Sequence, residues 1–430
     1  MTLPALWGRL KEGTRLATAG GNWARAVSLN IQYNLRWFFF DGILSAGQDG
    51  IVLTYLSLYL LALGATSGQI GLMAALTSLG ATLMLLPGAI LAERFGKRKL
   101  IVLLSGGGTT RIMILLMALT PFILHGQAAI FFVIGLKVIA DGSTNMGLPA
   151  WTSLAGDIVP LAWRGRYFGS KNLYMAVSGI ATTLLLGNLI TQNGSVTGYQ
   201  IALGVAFLIG CTATFSYSHI REPVSSTDAA KPAAYTLSSL VQTLKDDRNF
   251  LYYASFGMVW NLAIGVAGPF FGVYIIEGLK GNANDVGLFS IAGSLAGLPA
   301  IRFFGRLSDR WGPRKVMLVT GCLIPFIPLV WVFARLPVHG ILFNIPAGLV
   351  WAGFNLAAFN FLLSLAPPMK RARYTALYQI AVALSSAAGA AIGGLVVTHF
   401  GYIPIFVISG IGRFLGIFLF ARFVHQKAEG

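Results

Sequence analysis

Long runs of hydrophobic residues, each about the length of a membrane-spanning helix, dominate the sequence. A helix needs roughly 20 mostly apolar residues to cross the hydrocarbon core of a bilayer. Twelve runs meet this requirement. In the first half they lie near 35–63, 68–92, 99–121, 127–157, 168–192 and 198–219, and in the second half near 249–278, 284–304, 315–335, 339–366, 373–399 and 402–424. The pattern predicts an all-α membrane protein with twelve transmembrane helices.

Composition supports a protein embedded in a lipid bilayer. Of the 430 residues, 56% are hydrophobic and 10% are charged, whereas soluble domains carry about 25% charged residues. The net charge of +17 would suggest nucleic acid in a soluble protein. Here most Lys and Arg residues lie in the two terminal segments and in every second loop, which predicts that both termini are cytoplasmic. We therefore expect an integral protein of a bacterial cytoplasmic (inner) membrane and no nucleic-acid partner.

Two polar segments lie outside the apolar runs. Residues 1–30 form a predicted cytoplasmic N-terminal segment, either a short interfacial helix or an unstructured tail. Residues 221–248 form a predicted cytoplasmic linker, with an amphipathic helix that begins after Thr236, a good helix N-cap. These segments divide the chain into predicted six-helix bundles at 31–220 and 249–425.

The two halves carry an internal repeat at an offset of about 216 residues. The segment Arg94-Phe95-Gly96-Lys97-Arg98-Lys99 recurs as Arg310-Trp311-Gly312-Pro313-Arg314-Lys315, and Glu93 corresponds to Asp309. A second match joins 69–72 to 285–288, and a third joins 164–167 to 371–374. Parallel six-helix repeats place a substrate path between the halves, near the membrane midplane.

The second copy, Gly305 to Lys315, resembles the loop motif that the major facilitator superfamily carries after its second and eighth helices. In the first copy Ala89 replaces the expected glycine, Gly88 stands one place earlier, and Glu93 replaces an aspartate. The resemblance covers essentially the whole chain. It implies the major facilitator fold, with two pseudo-symmetric six-helix bundles, and transport by alternating access.

The resemblance also implies a role for the motif residues. They would form cytoplasmic contacts that hold the outward-facing state and break on inward opening; the alternative is that they are solvated, positively charged anchors. The predicted gating residues are Gly88, Glu93, Arg94, Gly96 and Arg98 in the first copy, and Gly305, Asp309, Arg310, Gly312 and Arg314 in the second.

Ionisable residues inside predicted spans are costly and are therefore functional candidates. The three deep acids are all in the first half. Helix 1 has Asp41, Ser45, Gln48 and Asp49 on one face, and helix 4 has Lys137, Asp141 and Asn145 on one face. The resemblance implies that helices 1, 4, 7 and 10 line a central cavity, so both faces would line it.

Two interpretations of these charges remain open. At about 1.5 Å of rise per residue, Asp49 and Lys137 lie at similar depth, as do Asp41 and Asp141. An acid could then take up and release a coupling ion. Alternatively, Lys137 and Asp141 form a permanent i, i+4 ion pair that stiffens helix 4.

The second half supplies amides and aromatic rings. Predicted cavity residues are Trp260 and Asn261 in helix 7, where Gly268-Pro269 predicts a kink, and Asn344, Trp351 and Asn355 in helix 10. They suit a polar organic ligand, or they serve interhelical hydrogen bonding and packing. Arg111 and Arg413 lie in helices that are peripheral in the family, which favours pairing or snorkelling over substrate contact.

The sequence thus predicts a secondary active transporter of a small organic solute, coupled to a proton or a sodium ion. Two alternatives are an exporter of drugs or lipids, although helix 5 lacks the Gly-Pro-x-x-Gly-Gly signature of the family's drug antiporters, and a non-transporting membrane sensor or assembly factor. We expect no enzymatic activity, since no nucleophile–base set or metal-ligand cluster occurs in the spans. We also expect no cofactor, no metal and a monomer.

Overall fold

A computed structural model describes residues 18, 21–222, 247–365 and 371–425. Twelve long helices make up nearly all of these described ranges. They are α1 Leu29–Ala62, α2 Ser67–Phe95, α3 Arg98–Ile123, α4 Gly126–Ile158, α5 Arg164–Asn193, α6 Ser195–Ser218, α7 Arg248–Glu277, α8 Ala283–Trp311, α9 Pro313–Trp331, α10 Pro337–Leu365, α11 Arg371–Phe400 and α12 Tyr402–Phe423. In the predicted N-terminal segment, Asn22–Ala26 forms a 3₁₀ helix, whereas residues 1–17 and the predicted linker helix lie outside the described residues.

The lengths of the helices match the thickness of a bilayer. Within the described part of the chain, eleven helices are long and apolar enough to cross a membrane. The remaining one, α1, spans 34 residues and carries the polar stripe of Asp41, Gln48 and Asp49, which lowers its mean hydropathy. The all-α membrane architecture predicted from the apolar runs is therefore confirmed.

Two of the helices depart locally from α-geometry. In α3, Leu103–Thr109 forms a π-helix that contains three successive glycines. The hydroxyls of Thr109 and Thr110 donate to carbonyl oxygens five residues earlier, the spacing of a π-turn. In α7, a short 3₁₀ segment at Gly268–Phe270 interrupts the helix because Pro269 has no N–H to donate. This interruption lies at Gly268-Pro269, where the sequence predicted a kink.

The chain divides into two compact units. The first contains residues 1–56 and 83–229, and the second contains residues 57–82 and 230–430. In the first unit, rings and aliphatic groups of α1, α4, α5 and α6 form a buried cluster around Phe38 and Tyr167. In the second, α7, α9, α10, α11 and α12 enclose a larger cluster around Trp260, Phe354 and Phe420.

Glycines permit the closest helix contacts in each unit. A Cβ at Gly50 of α1 would lie 2.7 Å from the carbonyl oxygen of Gly179 in α5. In the second unit, Gly389 and Gly393 of α11 lie directly against the backbone of α7. In lipid, such small residues stabilise helix pairs by letting backbones approach.

The internal repeat is also visible as repeated hydrogen bonds. The Asn34 amide in α1 donates to the carbonyl of Arg221 (2.8 Å) and accepts from its N–H (2.9 Å). In the second unit, the Asn249 amide in α7 makes the same two bonds to His425 (2.7 and 2.9 Å). Each asparagine thus joins the first helix of its half to a residue two or three positions after the end of the last helix, and we call these two arrangements the amide clamps.

A second repeated contact involves the tyrosines of the third sequence match. The Tyr167 hydroxyl of α5 donates to the Leu35 carbonyl in α1 (2.7 Å), and the Tyr374 hydroxyl of α11 donates to Asp247 at the start of α7 (3.2 Å). Asp247 is also the N-cap of α7, since its carboxylate accepts from the Phe250 N–H. The equivalent tyrosines of the repeat therefore both hydrogen-bond to the first helix of their half, one to a backbone carbonyl and the other to the carboxylate of the N-cap residue.

Candidate functional site

A cavity of about 380 Å³ lies inside the first unit. Side chains from α1, α3, α4 and α6 line it. Its apolar wall includes Val52, Leu53, Ile114, Met117 and Trp151, and its polar wall includes Asp41, Ser45, Gln48, Asp49, Ser105, Thr110, Arg111, Lys137, Asp141, Thr144 and Thr214. The two polar faces predicted for helices 1 and 4 thus meet in one cavity.

Lys137 and Asp141 form a direct ion pair on α4. The Lys137 Nζ lies 2.5 Å from Asp141 Oδ1, one helical turn away. Both side chains are at least half-buried, with 11% and 30% of their surfaces exposed. This is the i, i+4 pair that one of the two sequence interpretations described. The pair also lines the cavity, so it is compatible with a role in ligand contact.

Arg111 contributes the second cation of the cavity wall. Its Nη1 donates to Gln48 Oε1, while its Nη2 reaches Ser45 Oγ at 3.5 Å and its Nε reaches Thr214 Oγ1 at 3.5 Å. The guanidinium therefore joins α3 to α1 and α6. Sequence reasoning placed Arg111 at the periphery, whereas the structure places it in the cavity. Its position deep within an apolar span was the sequence feature that could have marked it as a cavity residue.

Asp41 and Asp49 lie on the α1 side of the cavity in different surroundings. Asp41 is buried, with 8% of its surface exposed, and Asp49 is exposed to the cavity. Gln48 Nε2 donates to Asp49 Oδ1 at 3.5 Å. Among the described residues, neither carboxylate has a cation within 4 Å.

Sequence reasoning missed Lys171, which lies on α5 close behind this wall. Only 2% of its surface is exposed, and its Nζ lies 3.5 Å from the centre of the Phe38 ring and 5.4 Å from that of Trp151. The predicted fifth run begins near residue 168, so the lysine resembled a positively charged anchor at the end of the span. Its burial depends on packing against α1, which no local pattern indicates.

Other predicted cavity residues are placed elsewhere. Asn145 does not line the cavity, and its amide donates to the Asp141 carbonyl of its own helix at 2.9 Å. In the second unit, Trp260 is buried against Trp351 (ring centres 6.2 Å apart), and the Asn261 amide donates within α7. Their contacts are those of packing residues.

The remaining two amides of helix 10 differ from each other. The Asn344 amide donates to the Phe289 carbonyl of α8 at 2.6 Å, which is an interhelical hydrogen bond, whereas Asn355 is exposed.

Arg413 of α12 does not extend toward the membrane surface. Its side chain is buried, with 2% of its surface exposed, and its guanidinium carbon lies 5.8 Å from the centre of the Trp351 ring.

The loop-motif residues form different contacts in the two units. Arg98 is buried, and its Nη1 donates to Asp157 Oδ2 (2.7 Å) and Ser153 Oγ (2.8 Å), while its Nε donates to Glu222 Oε1 (3.3 Å). Glu222 also accepts from the backbone N–H groups of Arg98 and Lys99, so it caps the start of α3. These contacts join the ends of α3, α4 and α6.

In the second copy, Arg314 also contacts the last helix of its unit. Its Nε and Nη2 donate to the carbonyls of Val424 (2.9 Å) and Ala421 (3.0 Å), at the C-terminal end of α12. Arg94, Asp309 and Arg310 are exposed, and the Glu93 side chain lies outside the described part of the structure.

The four glycines of the loop motif occupy their positions for different structural reasons. Gly96 and Gly312 end α2 and α8 with φ of +62° and +78°, a left-handed conformation that favours glycine. Gly88 lies directly against the backbone of Met146 in α4, whereas a Cβ at Gly305 would meet only Leu356 Cδ2, at 3.8 Å. Close helix contact therefore requires the glycine in the first copy only.

Twelve long helices in the described ranges, eleven of them apolar enough to cross a membrane, define a polytopic α-helical membrane protein with a charged cavity inside its first unit. The profile of the Major Facilitator Superfamily matches residues 38–266 and, a second time, residues 261–430. The chain belongs to the major facilitator superfamily. Its fold, twelve transmembrane helices in two six-helix bundles, is the one that the sequence resemblance implied.

Individual relatives are distant. The chain is 27% identical over 322 residues to the minor myo-inositol transporter IolF of Bacillus subtilis, covering 70% of this chain and 67% of the relative. It is 24% identical over 352 residues to the multidrug resistance protein MdtG of Salmonella arizonae, covering 79% and 78%. A mutant of the nucleoside transporter NupG superposes with a TM-score of 0.75 at 15% identity, covering 90% of this chain and 99% of that chain, a likeness of fold alone.

Proposed function

We propose that this protein is a secondary active transporter that moves a small organic solute by alternating access and couples the movement to protons. The observation that carries the proposal is the cavity of the first unit, where Asp41, Asp49 and Asp141 lie with Lys137 and Arg111. Ionisable groups within a membrane span are costly, and they mark substrate and proton pathways. We also propose that both termini face the cytoplasm, on the distribution of Lys and Arg.

The size and lining of the cavity support a small solute. Its volume of about 380 Å³ lies near the lower end of the roughly 300–1,000 Å³ typical of small-molecule sites. Apolar groups such as Trp151 and Met117 cover one part of the wall, and carboxylates, hydroxyls, one amide and the cations Arg111 and Lys137 cover the other. This suits a molecule with a polar, hydrogen-bonding part and an apolar part.

The loop motifs support a conformational role in the cycle. Exposed Arg94, Asp309 and Arg310 are available for contacts that form in another state, whereas buried Arg98 holds the ends of three helices together within one unit. We propose that the exposed residues of the motif gate the cytoplasmic side and that Arg98 keeps the first bundle rigid while it moves.

A second candidate is a drug exporter, favoured by the similarity to MdtG and by the apolar wall of the cavity. It differs from the first proposal in the direction and the chemical class of the cargo. The glycine-rich signature expected for drug antiporters is absent from α5, and Gly389, Gly393 and Gly394 of α11 form its weak counterpart. In the structure Gly389 and Gly393 pack against α7, so packing alone accounts for them.

Uptake by proteoliposomes tests the proposal. Radiolabelled myo-inositol and uridine, and fluorescent ethidium, are offered with and without an imposed pH gradient. We expect one of these solutes to move faster with the gradient, and we expect Asp49→Asn and Asp141→Asn to lose this response. Glu429→Gln, an acid beyond the last apolar run of the sequence, is the control. Gradient-independent movement that these two variants leave unchanged would exclude proton coupling, and movement of ethidium alone would favour the exporter.

A further inference from the structure

Arg413 is a cation buried in the interior of the second unit, near the middle of α12. At about 1.5 Å of rise per residue it lies roughly 16 Å from each end of that helix, and only 2% of its surface is exposed. A guanidinium group stays charged in proteins, and charged side chains are almost never fully buried unless they are paired. Arg413 therefore requires an anion beside it.

The described part of the second unit provides no such anion. The Nε of Arg413 is buried and has no hydrogen-bond acceptor among the described residues, and no described carboxylate forms an ion pair with the guanidinium within 4 Å. The acids that the structure describes in this unit lie at or near helix ends, far from the middle of α12. They are Asp247, Glu277, Asp285 and Asp309.

Trp260 of α7 brings a second unpaired donor to this part of the unit. Its ring packs against the rings of Trp351 and Phe354 in α10. Its indole N–H, however, is buried and has no acceptor among the described residues. Buried donors are hydrogen-bonded in the great majority of cases, so two unpaired donors in one region indicate an acceptor that the chain itself does not supply.

Helix contacts bring the two donors to the same place. A Cβ at Gly416, one turn after Arg413, would lie 3.2 Å from Trp260 Cε3, and the Ser409 hydroxyl, one turn before Arg413, donates to a carbonyl of α7 (2.6 Å). Arg413 thus lies between two contacts of α12 with α7. Trp351 adjoins both donors, since its ring centre is 5.8 Å from the guanidinium carbon and 6.2 Å from the centre of the Trp260 ring.

We propose that Arg413 and Trp260 bind a small monovalent anion, a halide ion or the carboxylate of a very small acid, inside the second unit. The guanidinium supplies the positive charge, and the indole adds a neutral donor. Because both side chains are only 2% exposed, the site is enclosed, which limits the ligand to a small anion. The site is separate from the cavity of the first unit, and it does not depend on the transport function proposed above.

Thermal unfolding of the purified protein in a nonionic detergent tests the site. Chloride or formate replaces gluconate, a bulkier anion, at constant ionic strength. An anion that binds only the folded state raises the midpoint of unfolding and, at ten times its Kd, shifts the folding equilibrium about elevenfold. We expect this saturable response in the wild type. A response to chloride alone identifies a halide site, and a response to formate alone identifies a carboxylate site.

Variants of the two donors connect the response to the site. Arg413→Met removes the charge, so it should lose the anion response and, in gluconate, should be at least as stable as the wild type, because an unpaired buried charge is costly. Arg422→Met, at the exposed end of the same helix, is the matched control and should respond like the wild type. Trp260→Phe keeps an aromatic ring without the N–H, and we expect it to bind the anion roughly tenfold more weakly.

Three outcomes overturn the inference. The first is a wild type whose midpoint of unfolding is the same in gluconate, chloride and formate. The second is an anion response that persists in Arg413→Met, and the third is one that Trp260→Phe leaves unchanged. If Arg413→Met does not fold, Trp260→Phe is compared with Trp311→Phe, a change at an exposed tryptophan: weaker binding in Trp260→Phe alone supports the site, and equal binding in the two variants contradicts it.

Discussion

Replacement of Arg98 by methionine removes the cation that joins the ends of α3, α4 and α6. It deletes charge-assisted hydrogen bonds to Asp157 and Glu222 and one bond to Ser153. A hydrogen bond to a charged group contributes about 1.5–3 kcal/mol. The Asp157 and Glu222 side chains remain 43% and 26% exposed, so water screens both pairs and solvates the acids left behind. We therefore expect a loss of roughly 2–3 kcal/mol in the free energy of unfolding, less than the roughly 3–5 kcal/mol for breaking a fully buried ion pair.

Unfolding in mixed micelles with increasing SDS measures this free energy. Arg94→Met is the matched control, since Arg94 lies four residues earlier, in the last turn of α2, and is exposed. This variant should stay within about 0.5 kcal/mol of the wild type. A double-mutant cycle of Arg98→Met with Asp157→Asn should show coupling between the two residues. Equal stabilities of the Arg98 and Arg94 variants would refute the role assigned to Arg98.

Further predictions concern packing, the amide clamps and the cavity. Gly88→Ala should destabilise the protein by about 1–3 kcal/mol through overpacking against Met146. Gly305→Ala should be tolerated, because a Cβ there has no close neighbour. Similar SDS-unfolding curves for the two variants would contradict this difference. Asn34→Ala and Asn249→Ala should each cost about 1–3 kcal/mol, for two backbone hydrogen bonds each, and a large effect in one half alone would refute their equivalence. Gly106 lines the cavity, and a Cβ there meets nothing within 4 Å, so a larger side chain can extend into the cavity. Gly106→Leu should therefore lower solute uptake roughly tenfold, which is equivalent to about 1.4 kcal/mol. Unchanged uptake by the folded variant would show that the solute binds elsewhere.

The helices and the interruption of α7 at Pro269 were predictable because they depend on local features. A membrane span requires a long apolar run, and Pro269 interrupts a helix wherever it occurs. The polar faces of α1 and α4 were predictable for the same reason, since helical periodicity places Asp41 and Asp49 together. The cavity in which these faces meet differs from the one that the resemblance implied, since α1, α3, α4 and α6 of the first unit line it in place of helices 1, 4, 7 and 10.

The positions of Arg111 and Lys171 depend on tertiary packing and could not be read from periodicity. Arg111 follows a π-turn, which changes the direction of the side chains that come after it, and its hydrogen-bond partner Gln48 lies 63 residues earlier. Lys171 occupies space that a side chain at Gly42 would fill, which is a contact between distant parts of the chain. The amides of α7 and α10 were misleading because an amide satisfied within or between helices has the same sequence pattern as one that binds a ligand.

Proton movement driven by solute is the most direct test of the central claim. A pH-sensitive dye sealed inside proteoliposomes reports the internal pH when the solute that the protein transports is added outside, with no imposed gradient. The account predicts that the wild type changes the internal pH only when the solute is present and that Asp49→Asn, although folded, does not. Solute transport by the wild type with no change in internal pH, or an equal change in internal pH with Asp49→Asn, would contradict it.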